Sequence, residues 1–106
     1  MTAFALLRVT PIKEDDIATD VASAIDALEA YDVTYQTTPM ATILEADDVH
    51  ELLAACGAAH EAVDCPEVQT LIQIDEKREK TMTADEKIDS VEAELGRKAK
   101  STGNHE

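Results

Sequence analysis

The amino-acid sequence predicts an α+β domain with the element order β-α-β-β-α-β, followed by one more helix. Short runs that are apolar, or that alternate between apolar and polar residues, predict four strands, whereas apolar residues three and four positions apart predict helices. This order is the ferredoxin-like one, in which a four-stranded antiparallel sheet carries two helices on one face. We expect a single domain over residues 1–98 and a disordered polar tail over residues 99–106.

The first strand and helix follow from the N-terminal part of the chain. Residues 3–9, AFALLRV, form a mostly apolar strand that ends at Thr10-Pro11. Asp15 or Asp16 then caps the first helix by accepting hydrogen bonds from its free first-turn N–H groups. One apolar stripe of this helix faces the core, and it consists of Ile17, Val21, Ala24, Ile25 and Leu28.

The stretch from residue 35 to residue 45, YQTTPMATILE, predicts a hairpin that proline interrupts. Val33 and the alternate residues after it show the period of a half-buried strand. Pro39 breaks this strand because its ring fixes φ and it lacks an N–H, and the next strand begins at Met40. We expect this unit to bring four side chains close together: Tyr35, Thr38, Thr42 and Glu45.

The second helix and the last strand follow this hairpin. Asp47 or Asp48 caps the helix, which ends near Pro66. Residues 68–74 alternate well enough to form a strand, with a charged break over residues 75–80. The apolar stripe of the second helix consists of Val49, Leu52, Leu53, Cys56, Ala59 and Val63.

The third helix carries a narrow apolar edge. Thr83, with Glu86 three residues later, forms a capping box that opens this helix. Ile88, Val91 and Leu95 are too few to form a domain core, but they suit a partner surface. The sheet face without helices also requires burial, so we expect a homo-oligomer, either a dimer or a tetramer.

Charge is the most unusual feature of the composition. Twenty-three acidic residues against nine basic ones give a net charge of −14. The chain has no basic face to displace phosphate counterions, which argues against nucleic-acid binding. An acidic surface keeps a protein hydrated in concentrated salt, so we interpret the charge as a halophilic adaptation to a high-salt cytoplasm. An acidic protein of an ordinary cytoplasm is the alternative.

Membrane insertion and secretion are not predicted. No apolar run approaches the roughly 18–20 residues of a membrane span. The N-terminal segment MTAFALLRVTP lacks the basic region of a signal peptide, so we expect a cytoplasmic protein with no membrane partner. Cys56 and Cys65 lie outside any CxxC motif, and we expect free thiols rather than a disulfide.

The sequence contains no nucleophile motif, glycine-rich phosphate loop or metal-ligand spacing. His60-Glu61 differs from the HExxH zinc motif because position 64 is Asp64. We therefore predict no catalytic residue, no metal and no enzymatic activity. Two alternatives stay open: a ligand-free oligomeric interaction module, and a small enzyme that uses Glu45 and His60 as acid and base. Glu45 is equally interpretable as a solvated strand end, and Tyr35 as a half-buried strand aromatic.

The central stretch contains the pattern Tyr35-x-x-x-Pro39-Met40-x-Thr42-x-x-Glu45. This pattern resembles the signature of the MTH1187/YkoF-like thiamine-binding protein family, also called UPF0045. Further similarities follow in order and extend the resemblance over nearly all of residues 3–96. They are Pro11-Ile12, His60-Glu61, the strand from Thr70 to Asp75 with Lys77 and Arg78 after it, and Met82, Lys87, Ser90-Val91-Glu92 and Leu95.

Four positions depart from the family pattern. Ala41 and Ala46 stand where the family usually has glycine. Glu67 and Lys77 stand where arginine is common. The changes at Glu67 and Lys77 weaken any anion contact that relatives make near the last strand.

The resemblance implies a ferredoxin-like fold, assembly into dimers and tetramers, and binding of thiamine or its hydroxymethylpyrimidine moiety in some members. Thiamine is then a ligand, and no cofactor is implied. Glu45 would offset the thiazolium cation or accept from the amino group. Thr38 and Thr42 would supply hydrogen bonds, while Tyr35 or Met40 covers a ring. The expected ligand-binding residues are therefore Tyr35, Thr38, Met40, Thr42, Glu45 and His60.

Overall fold

The computed structural model describes residues 2–79 and 81–100. In chain order its elements are β1 (Thr2–Pro11), α1 (Ala18–Asp26) with a 3₁₀ turn (Ala27–Ala30), β2 (Thr34–Thr37), β3 (Thr42–Ala46), α2 (Val49–Glu61), β4 (Val68–Lys77) and α3 (Ala84–Leu95). The strands form one antiparallel sheet in the order β2-β3-β1-β4. The predicted ferredoxin-like fold with an added C-terminal helix is confirmed. Most of the predicted polar tail, residues 101–106, lies outside the described residues.

The core lies between α1, α2 and one face of the sheet, which we call the helix face. Alternate residues of β1 and β3 are buried here, including Ala3, Ala5, Leu7 and Leu44, and they pack with Leu52 of α2. These side chains are small or aliphatic, as the low aromatic content predicts. The intervening residues of β1 and β3 point to the opposite side of the sheet, which we call the open face.

The predicted caps of α2 and α3 are confirmed, whereas α1 differs: its N-cap is Ile17, which makes no side-chain cap hydrogen bond. Asp16, one residue earlier, accepts a hydrogen bond from Ala18 N at 3.0 Å. Asp48 is the N-cap of α2 and accepts from His50 N at 2.9 Å. Thr83 is the N-cap of α3, and its hydroxyl accepts from Glu86 N at 3.1 Å. None of the helices in residues 2–79 and 81–100 is long and apolar enough to cross a membrane.

We expect Asp48→Ala to lower the free energy of unfolding by about 1 kcal/mol, because the substitution leaves a first-turn N–H of α2 without its cap. The adjacent Asp47→Ala is the matched control, since it removes the same charge from an exposed side chain that does not cap the helix. Denaturant unfolding in concentrated salt measures both variants. Equal losses in the two variants would contradict the capping role of Asp48.

The predicted apolar stripe of α2 is wrong at Leu53. This side chain is 46 % exposed, whereas Leu52 and Ala55 are completely buried. The helix therefore faces the sheet through a stripe that includes alanine, and its larger neighbour Leu53 points away. A small buried alanine lets the helix approach the strands closely.

The last strand is longer than predicted. The expected charged break over residues 75–80 is wrong for residues 75–77, because β4 continues to Lys77 and pairs Asp75 with Phe4 and Lys77 with Thr2. Because β1 begins at Thr2, its first residues provide backbone hydrogen-bond partners for β4 as far as Lys77. Since β4 is an edge strand, its charged side chains keep access to water while its backbone is paired.

The open face is partly covered, in contrast to the bare face that the sequence predicted. Met82 N donates to the buried Thr2 hydroxyl at 3.1 Å, and Ala84 N donates to Glu45 Oε2 at 3.3 Å. Lys87 extends from the first turn of α3 to the sheet. The beginning of α3 is therefore held against the open face, close to one end of the sheet.

Candidate functional site

The turn between β2 and β3 is built around Thr38. Its hydroxyl donates to Ala41 O at 2.7 Å and accepts from the backbone N–H groups of Met40 and Ala41 at 3.3 and 3.1 Å. The hydroxyl therefore has its hydrogen bonds within the turn and fixes the backbone that carries Met40. The next strand begins at Thr42 rather than at the expected Met40, because residues 38–41 are occupied by this turn.

Ala41 and Ala46 are compatible with this backbone although glycine is usual at both places in the resembling family. Within the described residues, no non-glycine residue has a positive φ. Neither alanine therefore needs the left-handed conformation that favours glycine. The departure from the family pattern is therefore accommodated without backbone strain, both in the turn at Ala41 and at the end of β3 at Ala46.

The turn closes one end of a cleft between α1 and the sheet, which we call the hairpin-end cleft. Its volume is ≈ 230 Å³. Its lining includes Ile17 immediately before α1, Val21 of α1, Thr37 at the end of β2, Met40 in the turn and Thr42 at the start of β3. The cleft thus combines apolar walls from the helix with polar groups from the hairpin.

Thr37 and Thr42 supply the polar groups of the hairpin-end cleft. They are direct partners across β2 and β3, which places both side chains on the same face of the sheet. Thr42 is only 7 % exposed, and the described part of the chain supplies no hydrogen-bond partner to either hydroxyl. Met40, which is 73 % exposed, lies at the rim. The cleft therefore offers two hydroxyls that can donate and accept.

Tyr35 and Glu45 do not join this cleft, and the expected cluster of four neighbouring side chains is wrong. Thr42 and Leu44 of β3 are buried on the helix face, so the alternation places Glu45 on the open face. Tyr35 pairs with Leu44 and lies on the helix face, where its phenol donates a hydrogen bond to Glu29. The pKa of the Tyr35 phenol is raised because its ionised form would lose this hydrogen bond and face the Glu29 carboxylate.

Glu45 is held by the start of α3, where its Oε2 accepts from Ala84 N. Together with Asp32, Asp47 and Asp85 it borders an acidic groove of ≈ 400 Å³. The described residues contain no group of three or more His, Cys, Asp or Glu side chains arranged to hold a metal ion. Glu45 therefore has a structural partner and lies in an acidic region.

His60 lies at the opposite edge of the sheet from the hairpin. Its Nδ1 is 2.5 Å from Thr70 Oγ1 of β4, and β4 is three strands away from β2. Neighbouring strands are about 4.8 Å apart, so roughly 14 Å separates these edges. Glu45 is on the open face, whereas His60 belongs to α2 on the helix face. This geometry gives no support to an enzyme that uses Glu45 and His60 together.

The sequence prediction missed Thr37, Ile17 and Val21 as residues of the cleft. Thr37 was missed because the second strand was expected to resume at Met40, and only a strand that resumes at Thr42 pairs Thr37 with Thr42. Ile17 and Val21 matched the core stripe of α1 equally well. Only the placement of α1 over the end of the hairpin gives these two side chains a cleft to line.

The fold and the cleft define a small ferredoxin-like α+β domain, with a cleft at the end of its central hairpin that contains two threonine hydroxyls. The family model described as "Thiamine-binding protein" matches residues 5–92. The chain therefore belongs to the thiamine-binding protein family, UPF0045, and the resemblance found in the sequence is confirmed.

Relatives and solved structures agree with this assignment. A UPF0045 protein of Methanothermobacter thermautotrophicus is 37 % identical over 96 residues, covering 86 % of this chain and 97 % of the relative. UPF0045 protein YqgV of Bacillus subtilis is 34 % identical over 102 residues, covering 88 % and 97 %. The crystal structure of MJ1052 from Methanocaldococcus jannaschii has a TM-score of 0.78 at 30 % identity and covers 85 % of this chain and 95 % of that one.

Proposed function

We propose that the protein binds thiamine or its hydroxymethylpyrimidine moiety, and that the pyrimidine ring enters the hairpin-end cleft. The observation that supports this proposal best is the pair of hydroxyls from Thr37 and Thr42. They face a cleft with apolar walls, and neither hydroxyl has a hydrogen-bond partner among the described residues. Membership of the thiamine-binding protein family supplies the class of ligand.

The chemistry of the cleft suits an aminopyrimidine. Its ring nitrogens accept hydrogen bonds and its amino group donates them, and a threonine hydroxyl does both. Ile17 and Val21 offer an apolar wall to the ring, while the Met40 thioether covers it from the rim. At ≈ 230 Å³ the cleft is smaller than the ~300 Å³ at which pockets for drug-sized ligands begin. It therefore suits one ring rather than the whole of thiamine.

The residues expected from the sequence take different parts in this proposal. Thr42 and Met40 contact the ring, and Thr38 shapes the turn through its three hydrogen bonds. Tyr35, Glu45 and His60 lie outside the hairpin-end cleft, and each side chain makes a hydrogen bond to another residue of the chain.

Calorimetric titration of the full chain in concentrated salt tests the proposal. We expect heat of binding with thiamine and with free hydroxymethylpyrimidine, and none with the isolated thiazole moiety, because the cleft receives the pyrimidine half. The thiazole titration is the control for nonspecific attraction of small heterocycles to the acidic surface. Absence of binding heat with both pyrimidine compounds would contradict the proposed function.

We also propose that the chain forms a dimer or tetramer. The apolar edge predicted on α3 is exposed, with Val91 58 % accessible between Ile88 and Leu95. Leu71 on the open face is exposed as well. Apolar surface of this kind is typical of an interface, and it equally favours the second candidate function, an oligomeric interaction module. Light scattering coupled to size exclusion should give the mass of two or four chains, and a monomeric mass would exclude both.

The net charge of −14 supports a high-salt cytoplasm as the working environment. Mutual repulsion among the carboxylates destabilises the compact state, and dissolved salt screens it. We therefore expect the thermal midpoint to rise as potassium chloride is added. A midpoint that stays constant or falls as salt is added would contradict the halophilic interpretation.

A further inference from the structure

The backbone of β1 extends past the end of its neighbour β3. The pairing of β1 with β3 ends at Leu7 and Thr42, whereas the pairing of β1 with β4 continues to Pro11. Over residues 8–11, β1 therefore has a paired strand on one side only. The hairpin-end cleft borders the free side, since Val9 and the turn after β2 both belong to its lining.

A hydrogen bond at the end of β1 shows which backbone groups point to this free side. Ile12 N donates to Glu67 O at 2.9 Å, and these two residues continue the register of β1 and β4 by one position. In an antiparallel pair, residues that exchange hydrogen bonds with the neighbouring strand alternate with residues that do not. Even-numbered residues of β1 therefore point their backbone groups to β4, and the N–H and C=O of Val9 point to the free side.

Two further observations agree with this orientation. Pro11 has the same phase as Val9 and lacks an N–H, yet it remains opposite Val68 in the sheet. A continued β3 would place Met40 opposite Val9, but Met40 N donates to Thr38 Oγ1 instead. Within residues 2–79 and 81–100, neither backbone group of Val9 consequently has a hydrogen-bond partner.

We propose that the N–H and C=O of Val9 select a 4-aminopyrimidine in the hairpin-end cleft. The N–H donates to the ring nitrogen beside the amino group, and the C=O accepts from the amino group itself. This inference rests on the proposed binding of hydroxymethylpyrimidine. Val9 is two residues beyond Leu7, the partner of Thr42, so it lies about 7 Å further along the sheet and within reach of the same ring.

The backbone of Val9 supplies a discrimination that the threonines of the cleft lack. A hydroxyl rotates and can donate or accept, so Thr37 and Thr42 accommodate either an amino or an oxo group. Pairing with β4 fixes the backbone of β1, so that Val9 presents one donor and one acceptor in a fixed order. A 4-oxopyrimidine has the opposite order, because its ring nitrogen carries the hydrogen and its oxygen accepts. Donor would then face donor and acceptor would face acceptor, and both groups would stay unpaired.

Calorimetric titration of the full chain with hydroxymethylpyrimidine and with its 4-oxo analogue tests the inference. We expect the analogue to bind at least about tenfold more weakly, because it loses both hydrogen bonds to Val9. In NMR spectra, the Val9 amide proton should shift downfield when hydroxymethylpyrimidine is added. Equal affinity for the two compounds would overturn the inference and leave the proposed function standing. Absence of binding by both compounds would contradict the two together.

Val9→Pro removes the donor and keeps the carbonyl. Because this N–H points away from β4, the sheet keeps its hydrogen bonds, as it does at Pro11. We expect the affinity for hydroxymethylpyrimidine to fall about fivefold further than in Val9→Ala, which loses the side chain but keeps the N–H. Equal affinity in the two folded variants would exclude the donor role of Val9. If Val9→Pro does not fold by circular dichroism, the 4-oxo analogue and the Val9 amide shift decide.

Discussion

Replacing Leu52 by alanine is expected to lower the free energy of unfolding by about 2–5 kcal/mol. Leu52 is completely buried in the core between α2 and the sheet. Its truncation removes apolar contacts and leaves a cavity that the surrounding side chains fill only in part. This loss is large compared with the roughly 5–15 kcal/mol that stabilises a typical domain. Equilibrium denaturation in concentrated salt measures it.

Leu53→Ala is the matched control, because it makes the same chemical change one residue later on the same helix. Leu53 is 46 % exposed, so we expect a change within about 0.5 kcal/mol of wild type. The pair also tests which face of α2 is buried, a point on which the sequence pattern was misleading. A greater loss at Leu53 than at Leu52 would mean that α2 is rotated relative to this structure.

Thr42→Val is expected to weaken binding of hydroxymethylpyrimidine by up to about tenfold, as the loss of one hydrogen bond worth ~1 kcal/mol implies. Valine keeps the shape and the β-branched character of threonine. Because Thr42 is nearly buried and its hydroxyl has no partner in the described residues, the substitution leaves no polar group of the protein unpaired. We therefore expect the fold to be retained, and calorimetry to show the loss in affinity alone.

Thr34→Val is the corresponding control. Thr34 lies on the same hairpin, but it pairs with Glu45 and is exposed on the other side of the sheet from Thr42. The same loss of a hydroxyl there should leave the affinity unchanged. Equal weakening in both variants would point to a general effect on the hairpin, and unchanged affinity in Thr42→Val would remove Thr42 from the binding site.

Local signals in the sequence predicted most of the fold. Asp48 and Thr83 act within one helical turn of their own positions, so the helix starts were recognisable without the rest of the chain. Pro39 likewise separated two strands whose pairing followed from their adjacency. The family resemblance was recognisable because its pattern of residues is also local.

Features set by long-range contacts were not predictable. The extension of β4 to Lys77 depends on pairing with the very start of β1, more than seventy residues earlier. The first turn of α3 covers the open face because Glu45 and Asp75 hold it there. The separation of Tyr35 from Glu45 depends on the register that pairs Tyr35 with Leu44, and the sequence pattern did not specify that register.

NMR mapping of hydroxymethylpyrimidine on the labelled full chain tests the central claim, that the hairpin-end cleft is the pyrimidine site. We predict that the largest shift changes cluster at Thr37, Thr42 and Met40 and at the facing residues Ile17 and Val21. Changes that centre instead on the open face or on the His60 edge of the sheet, with the hairpin-end cleft unaffected, would contradict it.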